Sequence, residues 1–182
     1  MEKQEFSINN EVFDWLEAIC ISIVTIVLVF SFFFRFASVE GNSMLPTIHS
    51  KDKVVLLNTW ISDIKEGDVV VITQPTSVGQ PIIKRVIATE GQTIDIDYKT
   101  GNVYVDGILI EEPYIREKIR FQANNPVNYP FTVSKDHVFV MGDNRNDSSD
   151  SREAGIGEID TRYILGKAIL RVFPTNSFGF IK

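Results

Sequence analysis

The chain has 182 residues, long enough for one ordinary domain with an appendage and too short for a TIM barrel or most multidomain enzymes. Its 44% apolar content and net charge of −6 exclude a disordered chain and give no sign of the basic patch of a nucleic-acid binder. One cysteine, Cys20, rules out an intramolecular disulfide and, with only His49 and His137 beside it, leaves too few soft ligands for a structural zinc site.

In chain order, residues 1–17 form an acidic tail in which Glu2, Glu5, Glu11, Asp14 and Glu17 face a single Lys3. Residues 18–34, AICISIVTIVLVFSFFF, carry no formal charge. At a rise of about 1.5 Å per residue this uncharged run covers roughly 25 Å, and about 30 Å with its apolar flanks, enough to cross a bilayer core. Its apolar residues face every direction, unlike an amphipathic helix of a soluble domain. Trp15 suits one interface, and Arg35 can snorkel at the other. A cleaved signal peptide would need a basic n-region and a small-x-small exit, but this n-region is acidic and the exit, FRFASVEGNS, offers no convincing A-x-A. The segment 18–37 is therefore expected to be a retained anchor, although its flanking charges do not fix its orientation.

After Ala37 the pattern becomes strand-like. Runs rich in β-branched residues recur at 54–57, 68–73, 81–88, 93–98, 102–107, 137–141 and 163–173. Turn signals at Lys65-Glu66-Gly67-Asp68, Gln74-Pro75, Thr100-Gly101-Asn102 and Asp106-Gly107 separate several of them. TIDIDY and NVYVDG alternate with period two around a Lys-Thr-Gly-Asn turn and predict a hairpin. Residues 111–136 carry Pro113, Pro126 and Pro130 and read as irregular. The expected fold is one transmembrane helix followed by an all-β domain of antiparallel sheets over 38–182.

Three places carry chemistry. In EGNSMLPTI, Ser43 sits in a Gly/Pro-bracketed turn about six residues beyond the span, where a hydroxyl reaches only substrates at the membrane surface. Taken by itself, such a serine is an ordinary turn residue. In IIKRVIA, Lys84 and Arg85 point to opposite faces of an apolar strand. Either the strand is an edge with both charges solvated, or one amine is buried. Burial favours neutral lysine, the form that acts as a base, and lowering its pKa to about 8 costs roughly 3 kcal/mol. In MGDNRNDSSDSR, short Asp, Ser and Asn side chains with two arginines can satisfy one another and orient a neighbouring lysine. A calcium loop fails on register and on its β context.

Together these segments resemble the bacterial type I signal peptidases, in particular the small single-anchor kind of Gram-positive organisms. The likeness runs through the anchor, GNSMLPT at 41–47, GDVVV at 67–71, KRVIA at 84–88, GDNRNDSSDSR at 142–152 and GKAILRVFP at 166–174. It implies a nucleophile at Ser43, a general base at Lys84, and supporting roles for Ser148, Asp150, Arg145 and Arg152. Ser148 is expected to hydrogen-bond Lys84. The resemblance also implies a signal-peptidase-like protease domain with a short inserted β region near 95–135. Its expected partners are signal peptides of exported preproteins and the lipid of the cytoplasmic membrane, with the domain extracytoplasmic and neither cofactor nor metal involved. Small side chains, chiefly Ala, are expected at the first and third positions before the cut, with Met44, Ile82 and Ile83 lining the pocket. Some relatives place a hydroxyl two residues before the nucleophile, where this chain has Gly41, so a backbone group or a water must serve as second oxyanion donor. Competing readings are a membrane-tethered, self-processing Ser/Lys protease and a non-enzymatic anchored binding module. A sortase is excluded because no cysteine lies outside the anchor. A Ser-His-Asp triad is disfavoured because His49 is too near Ser43 in sequence and His137 opens an apolar strand.

Overall fold

The computed structural model describes residues 8–73 and 80–181, so the turn expected at Gln74-Pro75 lies outside the described residues. Two units are distinct in the chain, residues 1–34 and 35–182.

The first unit is a single helix, α1 (Ile8–Phe33). Its stretch from Glu11 to Phe33 is long and apolar enough to cross a membrane, and none of it is buried against protein. The hydroxyls of Ser22, Thr25 and Ser31 each donate to the carbonyl four residues earlier, at 2.7, 2.8 and 2.7 Å. Those bonds satisfy internally the polar groups that hydrocarbon could not. The helix ends four residues before Ala37, the expected end of the anchor. Phe34-Arg-Phe-Ala-Ser38 instead forms strand β1 beside the next strand, β2.

The second unit is built from antiparallel strands. Its larger sheet contains β1 (Phe34–Ser38), β2 (Lys53–Leu57), β3 (Val69–Ile72) and β4 (Ile82–Thr89). A hairpin excursion follows: β5 (Thr93–Asp97), β6 (Asn102–Val105), β7 (Ile108–Leu109) and β8 (Phe131–Thr132). The chain then returns to the larger sheet with β9 (His137–Met141), β10 (Ile159–Asp160), β11 (Ile164–Phe173) and β12 (Gly179–Phe180). The larger sheet is ordered β1-β2-β11-β3-β4-β9-β10, with β12 also on β11, and the smaller is ordered β7-β6-β5-β8. The hairpin read from period-two alternation is present: Ile94 pairs with Val105 and Ile96 with Val103. Asp106 and Gly107, both at positive φ, turn β6 into β7, the conformation that an Asp-Gly pair adopts readily.

Strand β4 positions the site. It lies between β3 and β9, and its residues enter three different cores. Ile83 joins Val39, Met44, Ile48 and Leu56; Val86 joins Val70, Val138 and Ile164; Ile87 joins Ile94, Val103 and Phe139. A strand covered on both faces has no solvated side, so the edge-strand reading of Lys84-Arg85 fails. Lys84 is 3% exposed and Arg85 1%. Buried charges require partners, and those partners define the site.

Candidate active site

Ser43 sits in the turn between β1 and β2. Gly41 enters that turn at φ +89°, a left-handed conformation that suits glycine. The Ser43 carbonyl accepts the Asn144 N–H at 2.9 Å, and the Asn144 side-chain amide donates to the Asn42 carbonyl at 3.1 Å. Gly142 makes this approach possible. A Cβ there would stand 2.3 Å from Ser148 Oγ and 2.5 Å from the Ser43 carbonyl. Among the described residues, no acceptor takes the Ser43 N–H.

The structure brings Lys84 to this turn. Its Nζ donates to Ser43 Oγ at 2.7 Å and to the Ile83 carbonyl at 2.9 Å. Burial lowers the lysine from 10.5 to about 8; the Asp150 carboxylate pulls it back up, Arg152 pushes it down, and Asp143 raises it. The amine thus loses its proton near neutral-to-mildly-alkaline pH while already within reach of a hydroxyl.

Ser148 differs from expectation. Its hydroxyl donates to Asp150 Oδ2 at 2.7 Å, and the Ile83 carbonyl anchors the lysine instead. Asp150 is the stronger attraction because it is fully buried and anionic: burial alone would raise its carboxyl, but Arg152 and the Gly142 and Ser148 donors hold it below the ordinary range. Arg152 reaches both carboxylate oxygens, Nε at 2.7 Å and Nη2 at 2.9 Å. Arg145 faces elsewhere, donating from Nε to the Gly142 carbonyl at 3.0 Å and from Nη2 to Glu112. It braces the loop and, among the described residues, makes no hydrogen bond to Ser43 or Lys84.

Arg85 and Asp143 form a second support that was not singled out from sequence. Arg85 donates to both Asp143 oxygens, at 2.8 and 2.7 Å, and to the Gly67 carbonyl, with its guanidinium 4.0 Å over the Tyr114 ring. The Thr47 hydroxyl donates to the same carboxylate. The adjacent basic pair in β4 was the available signal, because two faces of one buried strand imply two separate partner sets.

Ser43 and Lys84 open onto a cleft of about 370 Å³ between the end of β1 and the start of β4, walled by Ala37, Val39, Val71, Ile82, Ile83 and Leu165. Met44, expected to line the pocket, does not. It is 1% exposed and packs with Ile48, Val54 and Leu56, because the turn sends its side chain into the core beneath.

Residues 12–173 match the family described as signal peptidase, peptidase S26. A signal peptidase I of Bacillus amyloliquefaciens is 34% identical, over 96% of this chain and 95% of its own. Signal peptidase I T of Bacillus subtilis (strain 168) is 34% identical, over 96% of this chain and 92% of its own. A probable signal peptidase I-1 of Synechocystis is 34% identical, over 87% and 84% respectively. A crystal structure of a signal peptidase I from Enterococcus faecalis V583 overlays at a TM-score of 0.47 with 24% identity, covering 58% of this chain and 97% of that one.

Proposed function

The chain belongs to the signal peptidase family, peptidase S26, a family of serine peptidases, and from that membership we propose that Ser43 and Lys84 form its catalytic pair. In this reading it removes N-terminal signal peptides from exported preproteins, at the outer face of the cytoplasmic membrane. The observation that carries the proposal is the 2.7 Å contact between a buried amine and the hydroxyl in a turn at the mouth of an apolar cleft.

The chemistry follows from the parts. Neutral Lys84, held through an N–H on the Ile83 carbonyl, turns its lone pair to Ser43 and takes the hydroxyl proton. Ser43 Oγ attacks the carbonyl carbon of the last signal-peptide residue. The Ser43 N–H donates to the oxyanion that develops. Gly41 has no side-chain donor, so the second donor is a backbone group or a water. As the tetrahedral intermediate collapses, the lysine returns the proton to the departing amine, and the mature protein leaves with a new N-terminus. Water then attacks the acyl-enzyme, with Lys84 again as base.

An extended signal peptide fits the cleft by adding alongside the backbone of residues 37–40 and of Ile82–Ile83, with alternate side chains entering the wall. Placement of the domain outside the cytoplasm is supported by the family membership together with an N-terminal helix able to cross the bilayer. Cleavage of a preprotein in detergent by the purified chain and by its Ser43→Ala variant tests the proposal; activity in the variant contradicts it.

A further inference from the structure

The Ser43 turn is closed locally by the Leu45 N–H on the Asn42 carbonyl at 3.2 Å and the Ile48 N–H on the Met44 carbonyl at 2.9 Å, and at its base by the Lys51 N–H on the Val39 carbonyl at 2.7 Å; Pro46 has no N–H to give. Holds from outside add to these local bonds, and Thr47, four residues after the nucleophile, is where two of them meet. The Thr47 hydroxyl is held by Asp143. The Thr47 carbonyl accepts from Arg171 Nη1 at 3.1 Å.

Arg171 reaches further than that one bond. The same Nη1 donates to Asp52 Oδ2 at 3.1 Å, and this oxygen also accepts the His49 N–H at 2.9 Å. Its Nε donates to the Ser177 carbonyl at 2.6 Å, in the short 3-10 turn Thr175–Ser177 that precedes β12. On β11, Arg171 stands opposite Val54 of β2 and Gly179 of β12, between two interruptions of the β2–β11 register. Bulges of this kind re-aim a side chain out of the regular alternation. One guanidinium therefore ties the nucleophile turn, the end of that turn at Asp52 and the C-terminal segment into a single unit. Its side chain is 20% exposed and its carboxylate partner 4%, so water competes weakly for these bonds.

We propose that Arg171 is a positioning residue for Ser43, and that through Ser177 the C-terminal segment takes part in setting the angle of the nucleophile. The inference rests on Ser43 being the nucleophile. A planar fork suits the task because its nitrogens serve different acceptors in fixed directions, whereas an ammonium is one compact point of charge. Displacements of about 1 Å in a reacting group cost on the order of a hundredfold in rate.

The test uses the full-length chain in detergent with a preprotein substrate. It compares Arg171→Met, Arg171→Lys and Asp52→Asn with the parent, with Ser43→Ala, and with the exposed-arginine control Arg162→Met. The expected result for Arg171→Met is a kcat lower by about ten- to a hundredfold, with KM within about threefold of the parent. Arg171→Lys should recover part of that loss by keeping the pairing with Asp52. Arg162→Met should match the parent. The acidic limb of kcat/KM should not move in the Arg171 variants, because Asp150, Arg152 and Asp143 are the charges that set Lys84. If Arg171→Met does not fold, Arg171→Lys and Asp52→Asn carry the same expectation at smaller size. Parent-like kcat in the folded variants with Ser43→Ala inactive overturns this inference and leaves the nucleophile in place. A loss confined to KM, or to thermal stability, overturns it as well. Activity in Ser43→Ala removes the nucleophile and this inference with it.

Discussion

The amine of Lys84 lies 2.7 Å from the hydroxyl of Ser43, although 41 residues separate them in the chain. The contact joins a turn after β1 to the middle of β4, and the lysine has no solvated side from which to recover its hydration. Desolvation and proximity therefore act on the same group: one favours the neutral amine, the other sets it beside a hydroxyl.

The first consequence is a pH profile. The acidic limb of kcat/KM reports the free-enzyme base, so it should rise through a midpoint near pH 8, the value to which burial brings Lys84. His49→Ala and His137→Ala should retain the limb. A limb that disappears in either variant assigns the base to a histidine.

The same shift is a statement about stability. Lys84 titrates at about 8 when folded and at 10.5 when unfolded, so between those values the unfolded chain binds the extra proton. Unfolding free energy should rise with pH across that window by roughly 3 kcal/mol from this group and show no slope from it below pH 8. Chemical denaturation of the full chain in detergent, parent against Lys84→Met, measures it. An equal slope in both proteins would mean that the lysine is not desolvated in the fold.

Asp150 offers a test with a definite sign. Its carboxylate raises Lys84, and Arg152 beside it lowers Lys84. Asp150→Asn removes the first and leaves the second, so the acidic limb should move to lower pH than in the parent. It also strands a buried guanidinium, at a cost of about 3–5 kcal/mol in stability. A limb that stays in place or moves to higher pH refutes this account of the network.

Much of this was legible in the sequence, and the misses share a cause. The strands β2, β5, β6 and β9 showed in β-branched runs at 54–57, 93–98, 102–107 and 137–141 and in turn residues, because alternation and turn chemistry are local. Ser43 and Lys84 stood out through the segments GNSMLPT and KRVIA. What local pattern could not show was partnership. Whether Lys84-Arg85 lay on an edge or in the middle depended on β3 and β9 covering β4. Ser148 turned to Asp150 because a buried anion outcompetes a lysine for a hydroxyl. Met44 left the pocket for the core because the turn's direction is set by Thr47 and Asn42, whose partners lie about a hundred residues further on. Residues 34–37 read as more anchor because an aromatic strand and an apolar helix end look alike over four residues.

The cleft predicts a preference. With Ile83 and Val71 in its wall, a substrate with Ala before the cut should be cleaved at least about tenfold faster than its Leu counterpart, since a few methylenes against a packed wall are worth about 1–3 kcal/mol each. Ile83→Ala should narrow that gap by deepening the pocket. Equal rates for Ala and Leu in the parent would show that this cleft does not hold the residue before the cut.

The central claim is that a neutral lysine is the base, and the initial rate of preprotein cleavage by Lys84→Arg tests it most directly. Guanidinium keeps the positive charge and much of the length but stays protonated at any working pH. Measured in detergent alongside thermal unfolding, the variant should fold and show no cleavage above that of Ser43→Ala. Cleavage by Lys84→Arg at a rate near the parent's would contradict the account.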